Sequence, residues 1–380
     1  MPISAPVNHS GIEPSGVSPI LPAPHVDCSP IEEIDRVGHT AIATIAYNLL
    51  VNILQTLGAR AATARNLAMG KPILAIFEAN LRCNSACGYC ALPLNLGRPE
   101  MTRAQIFSMF EKLARNGMLF VFLQGGEPTL RDDIADIFED LGALGLFPVL
   151  ITNGTRLTEA FVRRLAPLRM HVSVSLDSLD RERYKHIRGA DQLPRVLRGI
   201  DALSAFPGKK FITCILSDVN RNEVRGVVAF ARSKGFTPIV GAYHWDVGRY
   251  GKADDSLRYD PALAIEVFRN VRDGGDVPAG YYRDYLDDTI RWLSGGSLLP
   301  CDAGRYSIAI DASGNVAPCL AQPAAGNANL EPLDDIVDRF DRAEIDRCSR
   351  ASTCNLICSR IIGTAIRRPI SGVRTVASFR

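Results

Sequence analysis

Neither sign of charge dominates this 380-residue chain: 43 Lys and Arg stand against 41 Asp and Glu, a formal net charge of +2. A surface that grips nucleic acid needs clustered excess Lys and Arg, so no nucleic-acid partner is expected. Disulfide material is also scarce. Ten cysteines in this length are too few for a disulfide scaffold, and they are clustered rather than spread. That distribution goes with metal binding or catalysis in a reducing compartment. The first thirty residues hold no basic stretch followed by an apolar one, so no secretory signal is expected. A cytoplasmic location follows, with peripheral membrane association as a second reading. Between Thr40 and Gly58 charge is missing altogether.

What is present falls into zones. Residues 1–30 repeat Pro, Ser and Gly (Pro2, Pro6, Pro14, Pro19, Pro22, Pro24 and Pro30) and read as a disordered tail in which Cys28 is incidental. Residues 31–70 read as an apolar or amphipathic N-terminal helix. Thr40, Thr44, Asn48 and Asn52 recur every fourth residue and form one narrow polar stripe on it. Two readings stay open for it: packing on the outside of the main domain, or lying in a membrane interface. A true span is the third.

From 71 to 298, short β-rich runs alternate with amphipathic helical ones. The strand candidates are Ile73–Asn80, Met118–Gly125, Phe147–Gly154, His171–Asp177, Phe211–Ser217 and Thr237–His244. Between them lie helical patterns at Arg103–Asn116, Arg131–Leu144, Glu159–Leu165, Leu193–Phe206 and Glu223–Lys234. Six such units specify an α/β fold with a parallel sheet, whose chemistry belongs at the carboxyl ends of the strands. Residues 299–362 carry five of the cysteines, and 363–380 form a basic tail, expected to be solvated.

Directly after the first strand run comes Asn80-Leu81-Arg82-Cys83-Asn84-Ser85-Ala86-Cys87-Gly88-Tyr89-Cys90. Three thiolates on so short a loop can converge on one centre but leave one position without a protein ligand. A structural zinc site wants four ligands, and no His or Cys follows at finger-like spacing. A [4Fe–4S] cluster with three Cys and one open iron fits better, because the open iron can bind a substrate. The loop resembles the CxxxCxxC signature of the radical S-adenosylmethionine (SAM) superfamily, including the aromatic Tyr89 before the third Cys. The resemblance implies a (β/α)6 partial TIM barrel, a SAM-cleaving cluster on Cys83, Cys87 and Cys90, and a flavodoxin- or ferredoxin-type electron donor.

The second strand run ends in Gly125-Gly126-Glu127-Pro128, about 35 residues after the cysteines. Two glycines let a backbone edge approach a ligand closely, and Pro128 stiffens the turn. This resembles the family's GGEP motif, which implies that Gly125, Gly126 and Glu127 receive the amino group of SAM. The third run ends in Thr152-Asn153-Gly154, where Asn153 is a candidate SAM contact or a turn residue. In the fourth, Ser173, Ser175 and Asp177 alternate onto one face. The resemblance marks Ser175 and Asp177 as ribose candidates. Arg188-Gly189 follows, as a ligand contact or a surface ion pair. Tyr243 and His244, at the end of the sixth run, are candidate substrate contacts or strand-end caps. Cys214 reads as an ordinary buried residue.

The segment Cys301 to Cys319 reads as a hairpin, Ser307–Ile310 and Asn315–Pro318 flanking an Asp/Ser/Gly turn. Twelve residues separate Cys301 from Gly314 and four separate Gly314 from Cys319, which resembles the SPASM/twitch extension of radical SAM enzymes. Cys348, Cys354 and Cys358 follow. Ile345 stands where a full SPASM domain has a cysteine, and none follows Cys358, so five cysteines are left for one auxiliary [4Fe–4S] cluster. Cys301, Cys319 and Cys358 match by position; the fourth ligand is Cys354 or Cys348, or the iron is open. A zinc knot is the alternative.

Three functions compete. In the first, a radical SAM enzyme abstracts hydrogen from, or adds to, a small or lipid-like substrate, with the apolar helix at the membrane. In the second, a maturase modifies a peptide or protein, although residues 1–70 show no strands for a winged-helix peptide-binding module. The third is a zinc-binding structural protein.

Overall fold

The computed structural model describes residues 58–92, 97–245 and 254–377. The expected tail over 1–30 and the expected helix before residue 58 lie outside them, as do the last three residues of the basic tail.

Strands β1 (Leu74–Glu78), β2 (Phe120–Gln124), β3 (Phe147–Thr152), β4 (His171–Ser175), β5 (Lys210–Leu216) and β6 (Thr237–Ala242) lie parallel, each paired with the next. Every one falls within two residues of its expected run. Their apolar residues decide the layering. In β2, Val121 and Leu123 are fully buried while Phe120, Phe122 and Gln124 stay partly exposed. β3 repeats the pattern, with Leu150 buried and Val149 and Ile151 partly exposed. Strand side chains alternate in direction, so one face of the sheet carries the core and the other remains partly open.

Helices cover the buried face. Arg103–Arg115 starts from a capping box, in which the Thr102 side chain accepts from Gln105 N and the Gln105 side chain accepts from Thr102 N. The helix buries Ile106, Met109, Phe110 and Leu113, and Phe110 meets Phe77 of β1 edge to face, ring centroids 5.2 Å apart. Among the helices not expected are Arg181–Arg188, Pro261–Asp273, capped by Asp260, and Tyr281–Leu293, which buries Tyr281, Tyr282 and Tyr285.

The boundary expected at 298/299 is not a break in the sheet. Strand β7 (Ser307–Ile310) pairs parallel with β1, and β8 (Asn315–Ala317) and β9 (Gly326–Asn327) continue antiparallel. The order is β6-β5-β4-β3-β2-β1-β7-β8-β9. β1 therefore has a partner on both edges, and all five of its residues are buried.

The basic tail is a correction. Ile361–Arg367 and Pro369–Ala377 are helices, and two of the tail's arginines are not solvated charges. Arg368 grips Asp288 through two nitrogens at 2.9 and 2.7 Å, and Arg367 lies 3.1 Å from Asp302. A segment read from its charge alone looks solvated; buried carboxylates elsewhere in the chain recruit it.

Of the expected 31–70 helix, residues 58–69 are described and helical. Thr63 Oγ1 donates to Gly117 O (3.0 Å), and Asn66 Nδ2 donates to Asn116 O (2.7 Å) and Pro72 O (3.1 Å). Its last turns thus pack on the turn that leads into β2. No helix among the described residues is long and apolar enough to cross a membrane.

Candidate active site

The chain leaving β1 becomes the cysteine loop, and the Gly-Gly turn after β2 holds it from one side. Gly126 N donates to Asn80 O (2.9 Å), Glu127 N to Arg82 O (2.7 Å) and Asn80 Nδ2 to Glu127 O (2.9 Å). A Cβ on Gly125 would stand 2.4 Å from Asn80 O, and one on Gly126 2.0 Å from Arg82 O. Gly125 has φ +144°, in the glycine-favouring region. The expectation was that these glycines admit a ligand; in the structure their close neighbour is the cysteine loop itself.

The other side of the loop rests on the helix Arg181–Arg188. Ala86 N donates to Arg188 O and Gly88 N to Ile187 O, both at 3.0 Å. Gly189, at φ +64°, ends that helix in the left-handed conformation, and a Cβ there would lie 2.1 Å from Ala86 O. Polar side chains complete the attachment. Asn153 Nδ2 donates to Asn84 Oδ1 (2.7 Å), Asn84 Nδ2 to Thr155 Oγ1 (2.8 Å), and Gln192 Nε2 to Asn84 O (2.7 Å). Thr155 and Gln192 did not stand out in the sequence. The available signal was the polar pair Asn84-Ser85 between two cysteines, which needs partners once buried.

Cys87 is buried, and Cys83 and Cys90 are partly exposed. Burial raises the Cys83 thiol and pushes Cys90 up to about 12. A metal binding to them would displace the thiol protons. A lone ion needs its sulfurs within about 2.3 Å of one point, and no three His, Cys, Asp or Glu among the described residues are drawn in that far. A [4Fe–4S] cube takes one thiolate on each of three corners and leaves its fourth iron open, the donor set that Cys83, Cys87 and Cys90 supply.

Glu127 is 1% exposed. Its Oε1 accepts from Thr129 N (3.1 Å), Thr129 Oγ1 (2.6 Å) and Thr152 Oγ1 (2.6 Å), and its Oε2 accepts from Asn153 N (2.6 Å). Burial raises the carboxyl, and these four donors pull it back. Thr152 and Asn153 therefore serve Glu127 and the cysteine loop.

Asp177, expected at the ribose, is 0% exposed, and both of its oxygens are engaged by groups of the chain. Oδ1 accepts from Ile215 N (2.8 Å); Oδ2 accepts from Tyr89 OH (3.3 Å) and pairs with Arg188 Nε at 2.6 Å. The Nε–H does not point along that line, so the contact is an ion pair without a hydrogen bond. The Arg188 guanidinium also sits 5.5 Å from the Tyr89 ring centre. The surface ion pair considered for Arg188 is thus a buried one, locking the residue before Cys90. Ser175 remains on the open face, partly exposed, and pairs through its backbone with Thr213 of β5. Cys214 is buried, as expected.

Tyr243 and His244 part company. The Tyr243 ring stands behind Tyr89, centroids 6.0 Å apart, and is 3% exposed. His244 does not join it: its ring lies on Trp292 at 4.7 Å, with Nε2 shut off from solvent. Burial lowers the imidazole to about 4, so it is neutral. Adjacent residues at a strand end point to opposite sides, which the sequence pattern did not resolve.

The five C-terminal cysteines come from three segments. Cys301 Sγ donates to Ser359 O (3.2 Å), Ala321 N donates to Cys319 Sγ (3.4 Å), and Cys348 Sγ lies 3.0 Å from Thr353 Oγ1. Burial pushes Cys319 up to about 11 and Cys358 up to about 12. A hydrogen bond between Cys348 and Cys354 lowers the first and raises the second.

Residues 79–231 match the profile of the Radical SAM superfamily. A probable GTP 3′,8-cyclase of Methanothermobacter thermautotrophicus is 32% identical over 171 residues, 44% of this chain and 56% of the relative. The chain thus spans little more than half of that protein. A PqqA peptide cyclase of Xanthomonas campestris is 28% identical over 274 residues, covering 70% of this chain and 71% of the relative. Among solved structures, Streptococcus suis SuiB bound to precursor peptide SuiA aligns with a TM-score of 0.60 at 19% identity, over 74% of this chain and 67% of that one. The enzyme anSMEcpe with bound AdoMet and Cp18Cys peptide aligns at 0.56 and 20%, over 73% and 83%. A cysteine loop at the end of β1, a Gly-Gly-Glu-Pro turn beside it and a partial parallel barrel beneath both agree with that profile, so residues 79–231 carry a domain of the radical SAM superfamily, whose enzymes use a [4Fe–4S] cluster and SAM.

Proposed function

We propose that this enzyme cleaves SAM at the Cys83–Cys87–Cys90 loop and directs the resulting radical at a peptide side chain lying over the open face of the sheet. The observation that carries this reading is the fixation of the loop. Backbone from the Gly125-Gly126 turn and from the Arg188-Gly189 helix end clamps it, at the carboxyl ends of parallel strands where substrates of such folds enter. Cys83, Cys87 and Cys90 would hold a [4Fe–4S] cluster there, and that group would supply the electron for reductive cleavage of SAM.

The chain's own residues bind, orient and exclude water. Glu127 Oε2, with one donor against three on Oε1, has acceptor capacity for the SAM ammonium. Ser175 offers a hydroxyl to the ribose. Asp177 positions Tyr89 and Arg188 and does not touch SAM. Partly exposed Phe122, Val149 and Ile151 make the open face apolar, a lining that suits a side chain and expels water from a reactive radical. Cys301, Cys319 and Cys358 would hold an auxiliary [4Fe–4S] cluster, with Cys354 or Cys348 as fourth ligand or the fourth iron open. The electron donor is of flavodoxin or ferredoxin type.

The peptide reading is supported by the PqqA peptide cyclases, which match over 70% of this chain. A small-molecule substrate is the second reading, favoured by the GTP cyclase relative. The lipid version rested on the helix before residue 58, outside the described residues.

The test is anaerobic incubation of reconstituted protein with SAM and dithionite, adding peptide or small-molecule fractions of host extract in turn. 5′-Deoxyadenosine is expected, with a mass change in the peptide fraction. A mass change confined to the small-molecule fraction overturns the peptide reading. Undiminished 5′-deoxyadenosine from the Cys83→Ala/Cys87→Ala/Cys90→Ala variant overturns the whole assignment.

A further inference from the structure

The C-terminal region contains a buried guanidinium with no carboxylate in direct ion-pairing contact among the described residues. Arg367 pairs with Asp302 at 3.1 Å, and Arg368 with Asp288 at 2.7 Å. Arg360, 4% exposed, has no carboxylate within ion-pairing distance among the described residues. Nη1 donates to Leu299 O and Nη2 to Cys354 O (3.1 Å), while the Nε–H is buried with no acceptor. Two main-chain carbonyls satisfy a guanidinium's hydrogen bonds but not its charge. The Asp302 carboxylate is near enough to feel this charge, but it already pairs with Arg367, so the two cations share one anion, and a buried cation without its own counter-charge is unfavourable.

Those contacts place the cation among the cysteines. Arg360 ties the segment leading into Cys301 to the backbone of Cys354, and it follows Cys358 by two residues. The neighbouring Ser359 carbonyl accepts from Cys301 Sγ at 3.2 Å. The compensating charge is what an auxiliary centre would bring, because four thiolates on a [4Fe–4S]2+ core leave a net negative charge.

We propose that Arg360 is the built-in counter-cation of the auxiliary cluster, holding that cluster's reduction potential higher than its thiolates alone would set it. The inference rests on the auxiliary-cluster reading of the five C-terminal cysteines. A nearby positive charge favours the reduced, more negative core, so removing it lowers the potential. Arg360 acts through the field on the cluster and is a positioning and tuning residue rather than a catalytic one.

The test is made in the full-length Cys83→Ala/Cys87→Ala/Cys90→Ala protein, so that iron and EPR signal come from the auxiliary centre alone. This parent, Arg360→Gln and Arg360→Lys are reconstituted, assayed for iron and sulfide, and titrated with dithionite under EPR. The expected result is a midpoint shifted to lower potential in Arg360→Gln and restored toward the parent in Arg360→Lys. If Arg360→Gln loses its iron and Arg360→Lys retains it, the charge requirement is likewise supported. An unchanged midpoint in Arg360→Gln at full iron content, or loss of iron in both variants, overturns the proposal. A parent that binds no iron overturns the auxiliary-cluster reading itself, before Arg360 is in question.

Discussion

Arg188 Nε stands 2.6 Å from Asp177 Oδ2, and the pair is closed off from water on both sides. One residue comes from the end of β4 and the other from the end of the next helix, and between them they fix Tyr89. Removing one member of a buried pair strands the other. Asp177→Ala is therefore expected to cost about 3–5 kcal/mol of stability. Asp177→Asn keeps an acceptor for Ile215 N and should cost less. Urea unfolding of the apo-protein measures both; an Asp177→Ala midpoint equal to the parent's would refute the role given to this pair.

Gly126→Ala places a Cβ 2.0 Å from Arg82 O, and the obstacle is backbone, which cannot swing aside. The cysteine loop must move. The variant is expected to lose roughly half of its reconstituted iron, the share of one of two four-iron clusters, and with it 5′-deoxyadenosine formation. Full iron content in the variant would show that the loop tolerates the displacement.

Gly226 gives the opposite expectation. It lies exposed in the helix Val224–Ser233, and an added Cβ meets nothing within 4 Å. Gly226→Ala should raise stability by up to about 1 kcal/mol through helix propensity and a less flexible unfolded chain. Iron content should not change.

His244 makes stability depend on pH. Its folded value, about 4, lies below the ordinary 6.5, so the unfolded chain takes up the proton first. The stability from the neutral imidazole is complete above pH 6.5 and is lost as pH falls toward 4. The full loss is on the order of 3 kcal/mol. In urea titrations at pH 7.5 and 5, the parent should weaken more than His244→Phe. Parallel losses in the two proteins would count against a buried neutral histidine.

Local pattern carried the barrel into view. The alternation of short β-rich runs with amphipathic helical ones between residues 71 and 298 is set by the chain's own local geometry. The cysteine spacing and the Gly-Gly-Glu-Pro turn named the site for the same reason, since each is a contiguous stretch. What stayed hidden depended on partners far along the chain. Asp177 reads as a ligand group until Arg188 and the amide of Ile215 are seen to use both its oxygens. Arg367 and Arg368 read as a solvated tail until Asp302 and Asp288 appear beside them. β9 spans only Gly326–Asn327, too short for any periodicity to register.

The pairing of β7 with β1 also has a consequence for synthesis. Leu74 meets Ser307 in that ladder, so one border of the strand feeding the cysteine loop stays bare until the chain has grown by more than two hundred residues. At ribosomal speeds of about 5–20 residues per second, that wait is roughly 10–50 s. Throughout it an apolar ribbon, Leu74-Ala75-Ile76-Phe77, offers open hydrogen-bonding groups to any neighbouring nascent chain. Truncation ahead of Ser307 would make that exposure permanent, so a shortened barrel should collect in inclusion bodies even with every SAM-site residue in place.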